Sequence, residues 1–363
     1  MSKFFSERYA NLEPYVPGEQ PQDKQYLKLN TNESPFPPQH EVVEAAREAS
    51  RYLNKYSDPD NRKVTEAIAK YYGLGYENVL VTNGSDEALN FAFMAFADEK
   101  RPLVFPEITY GFYPVAACVN HIPYETLPVG DDLLVNYKDY CGIGKNVVLA
   151  NPNAPTGVAL PLNEIEEIVR TNPDNIVIVD EAYVDFGAES AVALIPRYRN
   201  LLVTQTFSKS RSLAGGRLGF IMGNEALIAD MVTLKYAINP YNVNSMTAAA
   251  GMASIEDDTH FKNSCRAIMF NRDVTVEGLE ARGFTVIPSK ANFVFARAEW
   301  IEGGELYARM KEKGVLIRHF TNPKISDYNR ISIGNEHQME DFLDILDDVY
   351  NDMKKEGELR EDQ

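Results

Sequence analysis

Between residues 78 and 222, short and continuously apolar runs alternate with helical patterns, and several runs end abruptly in polar residues. Asn78-Val-Leu-Val-Thr82, Leu103-Val-Phe105, Asn146-Val-Val-Leu-Ala150, Ile176-Val-Ile-Val179, 200–206 and 218–222 read as strands. A helix opens at Ser85 after the Asn83-Gly84 turn, and another covers 162–170. Strands without a polar face must be covered on both sides. The alternation therefore predicts an α/β fold with a mostly parallel central sheet between helices. Ligands of such sheets sit at the carboxyl ends of the strands, and the polar residues fall there.

The flanks read differently. Residues 1–38 are rich in Pro, Asn and Gln and predict an N-terminal arm, packed on a smaller domain or on a partner subunit. Helices are expected at 39–55 and at 62–72, the second stopping at Gly73. After about 240 the pattern becomes α+β: one long helix at 245–282, strands at 284–287 and 292–296, and a helix at 303–313. Short apolar runs at 315–317 and 330–333 precede a closing helix at 336–354. The chain of 363 residues is long enough for a large domain at 39–245 and a smaller α+β domain at 246–363. The charged last ten residues are expected to fray.

The strand ends carry the chemistry. Asp180 closes an apolar strand, where a carboxylate is costly unless a cation meets it. Tyr183 follows three residues later. After the strand at 200–206 come Ser208, Lys209, the Gly215-Gly216 pair and Arg217. A carboxylate for a pyridinium, an amine for a Schiff base, and a Ser and an Arg for a phosphate are the parts that bind pyridoxal 5′-phosphate (PLP). Each also has a plain structural reading: a strand-end turn cap for Asp180, an exposed loop residue for Lys209. Asn83-Gly-Ser-Asp-Glu87 opens a helix, whose free N–H groups suit an anion or need only an N-cap. Asn151-Pro-Asn-Ala-Pro-Thr-Gly157 is a rigid loop after a strand.

Composition removes other classes. The formal net charge is −17, which repels nucleic acid and anionic lipid. An anionic small substrate would need local arginines to overcome that field. No apolar run approaches a membrane span, and no secretory leader is expected at the N-terminus. Three widely spaced cysteines fit a reducing cytoplasm. No metal site is expected. No G-x-G-x-x-G marks a strand–helix junction, which argues against a dinucleotide enzyme.

Taken in order, Asn83–Glu87, Asn151-Pro-x-x-Pro-Thr-Gly157, Asp180-Glu-Ala-Tyr183, Ser208-Lys209 and Arg217 resemble the fold-type-I PLP-dependent aminotransferases. More narrowly, Pro14–Gly18, Leu29-Asn-Thr-Asn-Glu33, Tyr56–Pro59, Pro240–Asn244 and Arg330–Gly334 are similar to the histidinol-phosphate aminotransferase family, over about residues 10–350. The resemblance implies that Lys209 is the Schiff-base lysine and proton carrier. It pairs Asp180 with the pyridine nitrogen and Tyr183 with the phenolic oxygen. Ser85, Asp86, Ser208 and Arg217 would hold the phosphate, with Tyr56 reaching across from a neighbouring subunit of a homodimer. Tyr110 would stack on the ring. Arg330 would take a substrate carboxylate, while Tyr15, Asn32, Tyr241 and Arg318 would complete the substrate site. The implied partners are an amino donor and an oxo acceptor. The alternatives on the same fold are an aromatic-amino-acid aminotransferase and a threonine-phosphate decarboxylase; a non-catalytic PLP-binding protein is the rival of another class. One position departs from the family: Ala154 stands where an Asn before Pro-Thr-Gly contacts the phenolic oxygen. The expectation is that Asn153 shifts in as the cofactor-binding amide, or that Tyr183 acts alone.

Overall fold

The computed structural model describes residues 2–10 and 12–360. In chain order the first elements are β1 (Leu27–Lys28), α1 (His40–Ser50), α2 (Arg62–Tyr72), β2 (Val79–Thr82), α3 (Ser85–Phe96), β3 (Leu103–Pro106), α4 (Phe112–Val119) and β4 (Tyr124–Leu127). Next come β5 (Asn146–Ala150), α5 (Leu162–Thr171), β6 (Val177–Asp180), β7 (Leu201–Thr206), β8 (Gly219–Gly223), α6 (Glu225–Ile238) and α7 (Ser245–Glu256). The remainder is α8 (Asp258–Glu280), β9 (Phe284–Ile287), β10 (Phe293–Ala298), α9 (Gly303–Glu312), β11 (Val315–Leu316), β12 (Arg318–His319), β13 (Asn329–Ser332) and α10 (Glu336–Glu356).

The central sheet has the order β2-β8-β7-β6-β5-β3-β4. All neighbours run parallel except at β8, which is antiparallel to both β2 and β7. Alternation along the strands explains why both faces are apolar. Val147, Leu149, Val177, Val179, Leu201 and Val203 pack with α1, α2, α5 and α7. Val148, Ile178, Leu202 and Ile221 point the other way, into a core with α3, α4 and α6. The α/β expectation is met.

The second sheet is antiparallel, β12-β13-β10-β9, and shares a core with α8, α9 and α10. The N-terminal segment joins this part: β1 pairs in parallel with β11, and Leu29 is buried in the same core.

The long helix expected at 245–282 is two helices. Asp257 leaves helical geometry (φ −97°, ψ 76°), ends α7, and caps α8 by accepting a hydrogen bond from the His260 N–H. The helix expected at 39–55 ends at Ser50. The fraying expected for the last ten residues is met by neither Arg360, which donates its N–H to the Trp300 carbonyl and ion-pairs with Asp327, nor residues 354–356, which finish α10. Residues 361–363 lie outside the described residues.

The site follows from this topology. β2, β3, β5, β6 and β7 all end on one edge, and antiparallel β8 begins there. The edge therefore gathers Ser85, Tyr110, Ala154, Asp180, Lys209 and Arg217 from segments far apart in sequence.

Candidate active site

A cavity of about 820 Å³ opens at this edge. Ser85, Asp86, Tyr110, Asp180 and Tyr183 line its sheet side, together with Ser208, Lys209 and Arg217. Tyr15, Asn32, Arg318 and Arg330 line it from the N-terminal arm and the second sheet. Most of the residues expected from sequence thus meet in one place.

Asp180 is only 4% exposed. The Tyr113 hydroxyl donates to its Oδ2 at 2.9 Å, while Oδ1 is buried with no partner. Burial pushes this carboxyl up to about 7, against the opposing pull of the Tyr113 hydrogen bond. A charged donor at Oδ1 would reverse the penalty. Tyr113 is fully buried. Its position one helical turn after Tyr110 was the available signal, and sequence reasoning passed over it.

Lys209 is part-buried. Burial and then the nearby Arg330 charge bring its amine down to about 8. Its Nζ donates to the Thr31 carbonyl at 3.0 Å and lies 5.8 Å from the Tyr183 ring centre. A lysine in this state is neutral in roughly a tenth of molecules at pH 7, far more than an ordinary lysine, and the neutral form is what a nucleophile or base requires.

At the start of α3, Gly84 has φ +80°, and a Cβ there would sit 2.6 Å from Arg217 Nη2. Gly219 is closer still: a Cβ would meet the Gly84 and Ser85 backbone at 2.5 Å. Two glycines thus let strand, helix start and guanidinium converge, leaving the free N–H groups of a twelve-residue helix facing the cavity. Asp86 ties this corner together. It accepts from the Tyr110 hydroxyl at 3.0 Å and lies 3.4 Å from the Arg217 guanidinium.

Three consecutive arm residues each hold one cavity group. The Asn30 carbonyl accepts from Arg330 Nη2 at 3.0 Å, the Thr31 carbonyl accepts from Lys209, and Asn32 Nδ2 donates to the Tyr183 hydroxyl at 2.9 Å. Arg330 keeps a buried Nε without a partner. Arg318 donates to the Val16 and Pro17 carbonyls at 3.0 and 3.2 Å, and Tyr15 packs edge-on against Tyr110 with ring centres 5.8 Å apart.

Asn153 and Tyr241 are not brought to the cavity, and Tyr56, whose expected place is a neighbouring subunit's site, does not line that of its own chain. Asn153 is buried in its own loop: Nδ2 donates to the Ile108 carbonyl at 2.9 Å and Oδ1 accepts from the Thr109 hydroxyl at 2.9 Å. Those bonds prevent the shift into the site expected of it, and Ala154 lines the cavity instead. Tyr56 and Tyr241 stack on each other with ring centres 4.6 Å apart, and both are exposed, at 84% and 44%, away from the cavity of their own chain.

A mostly parallel sheet presenting a buried carboxylate, a lysine of lowered basicity and an arginine beside a helix start defines the class of enzyme. The family of class I and II aminotransferases matches residues 24–346. Histidinol-phosphate aminotransferase 1 of Hydrogenovibrio crunogenus is 44% identical over 350 residues, 96% of this chain and 98% of that one. Histidinol-phosphate aminotransferase of Marinomonas sp. is 47% identical over 343 residues, 93% of this chain and 97% of the relative. The solved structure of histidinol-phosphate aminotransferase from Sinorhizobium meliloti in complex with pyridoxal 5′-phosphate superposes with a TM-score of 0.82. It is 22% identical and covers 91% of this chain and 92% of that chain, a likeness of fold. The chain belongs to the histidinol-phosphate aminotransferase family, within the fold-type-I PLP-dependent aminotransferases.

Proposed function

We propose that the protein transfers an amino group between histidinol phosphate and 2-oxoglutarate, giving imidazole-acetol phosphate and glutamate, a step of histidine biosynthesis. The observation that carries this reading is the placement of two guanidinium groups, Arg318 and Arg330, in the same cavity as Lys209. A substrate with a phosphate ester or a carboxylate close to its amine is what such a pair recognises. It also answers the objection raised by a net charge of −17.

The residues fit PLP. Asp180 Oδ1 is a buried acceptor without a partner, suited to a protonated ring nitrogen. Ser85 and Asp86 open the helix whose start would take the phosphate, Arg217 lies against it, Ser208 lines the same cavity, and Tyr110 and Tyr183 would bound the ring. When bound, PLP supplies a carbonyl that condenses with amines and a ring that accepts electrons. The rest is the work of this chain. Lys209 Nζ, with its lowered basicity, takes and returns the proton at the substrate α-carbon. Asp180 keeps the ring nitrogen protonated, the Tyr183 hydroxyl serves the phenolic oxygen, and Arg330 orients the substrate beside Lys209.

On the same reading the enzyme is a cytoplasmic homodimer. The exposed Tyr56, stacked on Tyr241, is offered to the second subunit's phosphate corner. The arm at 1–38, a large domain at 39–245 and a small domain at 246–363 are the working units. No helix among the described residues is long and apolar enough to cross a membrane.

A substrate panel tests the proposal. Histidinol phosphate should exceed phenylalanine in kcat/KM. Arg318→Ala should lower kcat/KM about ten- to a hundred-fold for the phosphorylated substrate, as expected for the loss of a charge-assisted hydrogen bond, and less for phenylalanine. Phenylalanine winning by a wide margin, or carbon dioxide released from threonine phosphate, would overturn it.

A further inference from the structure

The hydrogen of the Tyr183 hydroxyl has one direction left to it. Asn32 Nδ2 donates to the Tyr183 oxygen, so the tyrosine must donate elsewhere. The orientation of the Asn32 amide is itself fixed by a second group. The Asn32 backbone N–H donates to Ser332 Oγ at 2.8 Å, which leaves the Ser332 hydrogen to donate to Asn32 Oδ1 at 2.9 Å. With Oδ1 serving as acceptor, Nδ2 is the end that meets Tyr183. Asn32 and Ser332 are 1% and 3% exposed, so no bulk water competes with these bonds. Asn32 also sits at φ +55°, where Asn is among the few residues that rest without strain, and its carbonyl accepts from Asn292 Nδ2.

Beside Tyr183, in the same packed cluster, the loop contributes a methyl group: Ala154 lines the cavity and Asn153 is bonded away from it. We propose that Asn32 is a positioning residue. Held by Ser332, it aims the Tyr183 proton into the cavity and strengthens Tyr183 as the donor to the cofactor's phenolic oxygen, in compensation for the amide that Ala154 does not provide. This rests on the reading that Tyr183 faces that oxygen. The arrangement also links Tyr183 to Arg330, two residues before Ser332 on β13, so the cofactor contact and the substrate contact share one strand.

A donor to the phenolic oxygen draws negative charge from it and weakens its hold on the proton of the neighbouring nitrogen. Weakening the donor must therefore raise the pH midpoint of the bound cofactor's visible absorption, measured without substrate. Asn32→Asp is close to isosteric but presents an acceptor to Tyr183, turning its proton away from the cavity. The midpoint should rise by about one pH unit. Ser332→Ala, which leaves Asn32 in place but frees its amide to flip, should raise it less; it carries the test if Asn32→Asp does not fold. Ala154→Asn should lower the midpoint and should bring the Asn32→Asp value back toward wild type. If Tyr183→Phe raises the midpoint while Asn32→Asp and Ser332→Ala leave it unchanged, the role given to Asn32 is wrong. If Tyr183→Phe itself has no effect, the underlying reading of the site fails instead.

Discussion

Asp180→Asn should make the cofactor-free protein more stable while weakening its hold on PLP. The carboxyl is moved from 3.8 to about 7 by burial. A folded-state value above the unfolded one favours the neutral acid. This contribution is complete below about 4, is lost as the pH rises to about 7, and stays lost above that. At pH 8.5 the ionised form therefore costs roughly 4 kcal/mol. The Asn amide keeps an acceptor for Tyr113 but leaves a donor unpaired at the Oδ1 position, returning about 1–3 kcal/mol of that gain. A net stabilisation of about 2 kcal/mol remains. Glu181, also buried and pushed up to about 7, gives the same pH trend in both proteins and drops out of their difference. The assay is urea unfolding of the cofactor-free chain, followed by circular dichroism at pH 6.0 and 8.5, with and without saturating PLP. The advantage of the variant should grow between the two pH values. Adding PLP should reverse the order, because a protonated ring nitrogen pairs only with the wild-type carboxylate. A variant no more stable than wild type at pH 8.5 would refute the argument that this carboxylate is held at a cost for the sake of a cationic partner.

Two further outcomes are expected. Lys209→Ala should lose the cofactor's visible absorption and at least roughly 10³-fold in turnover, since nucleophile and base are removed together; turnover surviving in steady-state assays would sink the mechanism. Gly219→Ala places a methyl 2.5 Å from the Gly84 and Ser85 backbone, which cannot yield as a side chain would. It should cost about 1–3 kcal/mol in urea unfolding and weaken PLP binding in a fluorescence titration, and an unchanged protein would show that β8 and α3 do not touch as described.

The secondary structure that sequence revealed best is the part where a local rule has no competitor. Ile176–Val179 and Asn146–Ala150 are too apolar for anything but a doubly covered strand. Where two rules compete, sequence was less telling. Residues 245–282 carry one helical pattern, but Asp257 prefers to cap a new helix over continuing the old one. α4, β4 and α6 went unnoticed between stronger signals; β4 is an edge strand whose Tyr124, Glu125 and Thr126 are exposed, so it lacks the apolar alternation of its neighbours. Asn153 was placed on the basis of adjacency along the chain. Its fate was decided by Ile108 and Thr109, which lie 45 and 44 residues away.

By itself the sequence determined the fold class and the residue types at the strand ends, because periodicity and burial are properties of each segment alone. It could name a carboxylate, a phenol, an amine and a guanidinium. Only the tertiary structure decided what each of them is bonded to: Tyr113 under Asp180, Thr31 on Lys209, Asn30 on Arg330, and Asn32 between Ser332 and Tyr183. Those contacts join segments as much as 300 residues apart. All but the Tyr113 contact depend on the N-terminal segment crossing to the second sheet, and a hydrogen bond is fixed by distance in space, which spacing along a chain does not specify.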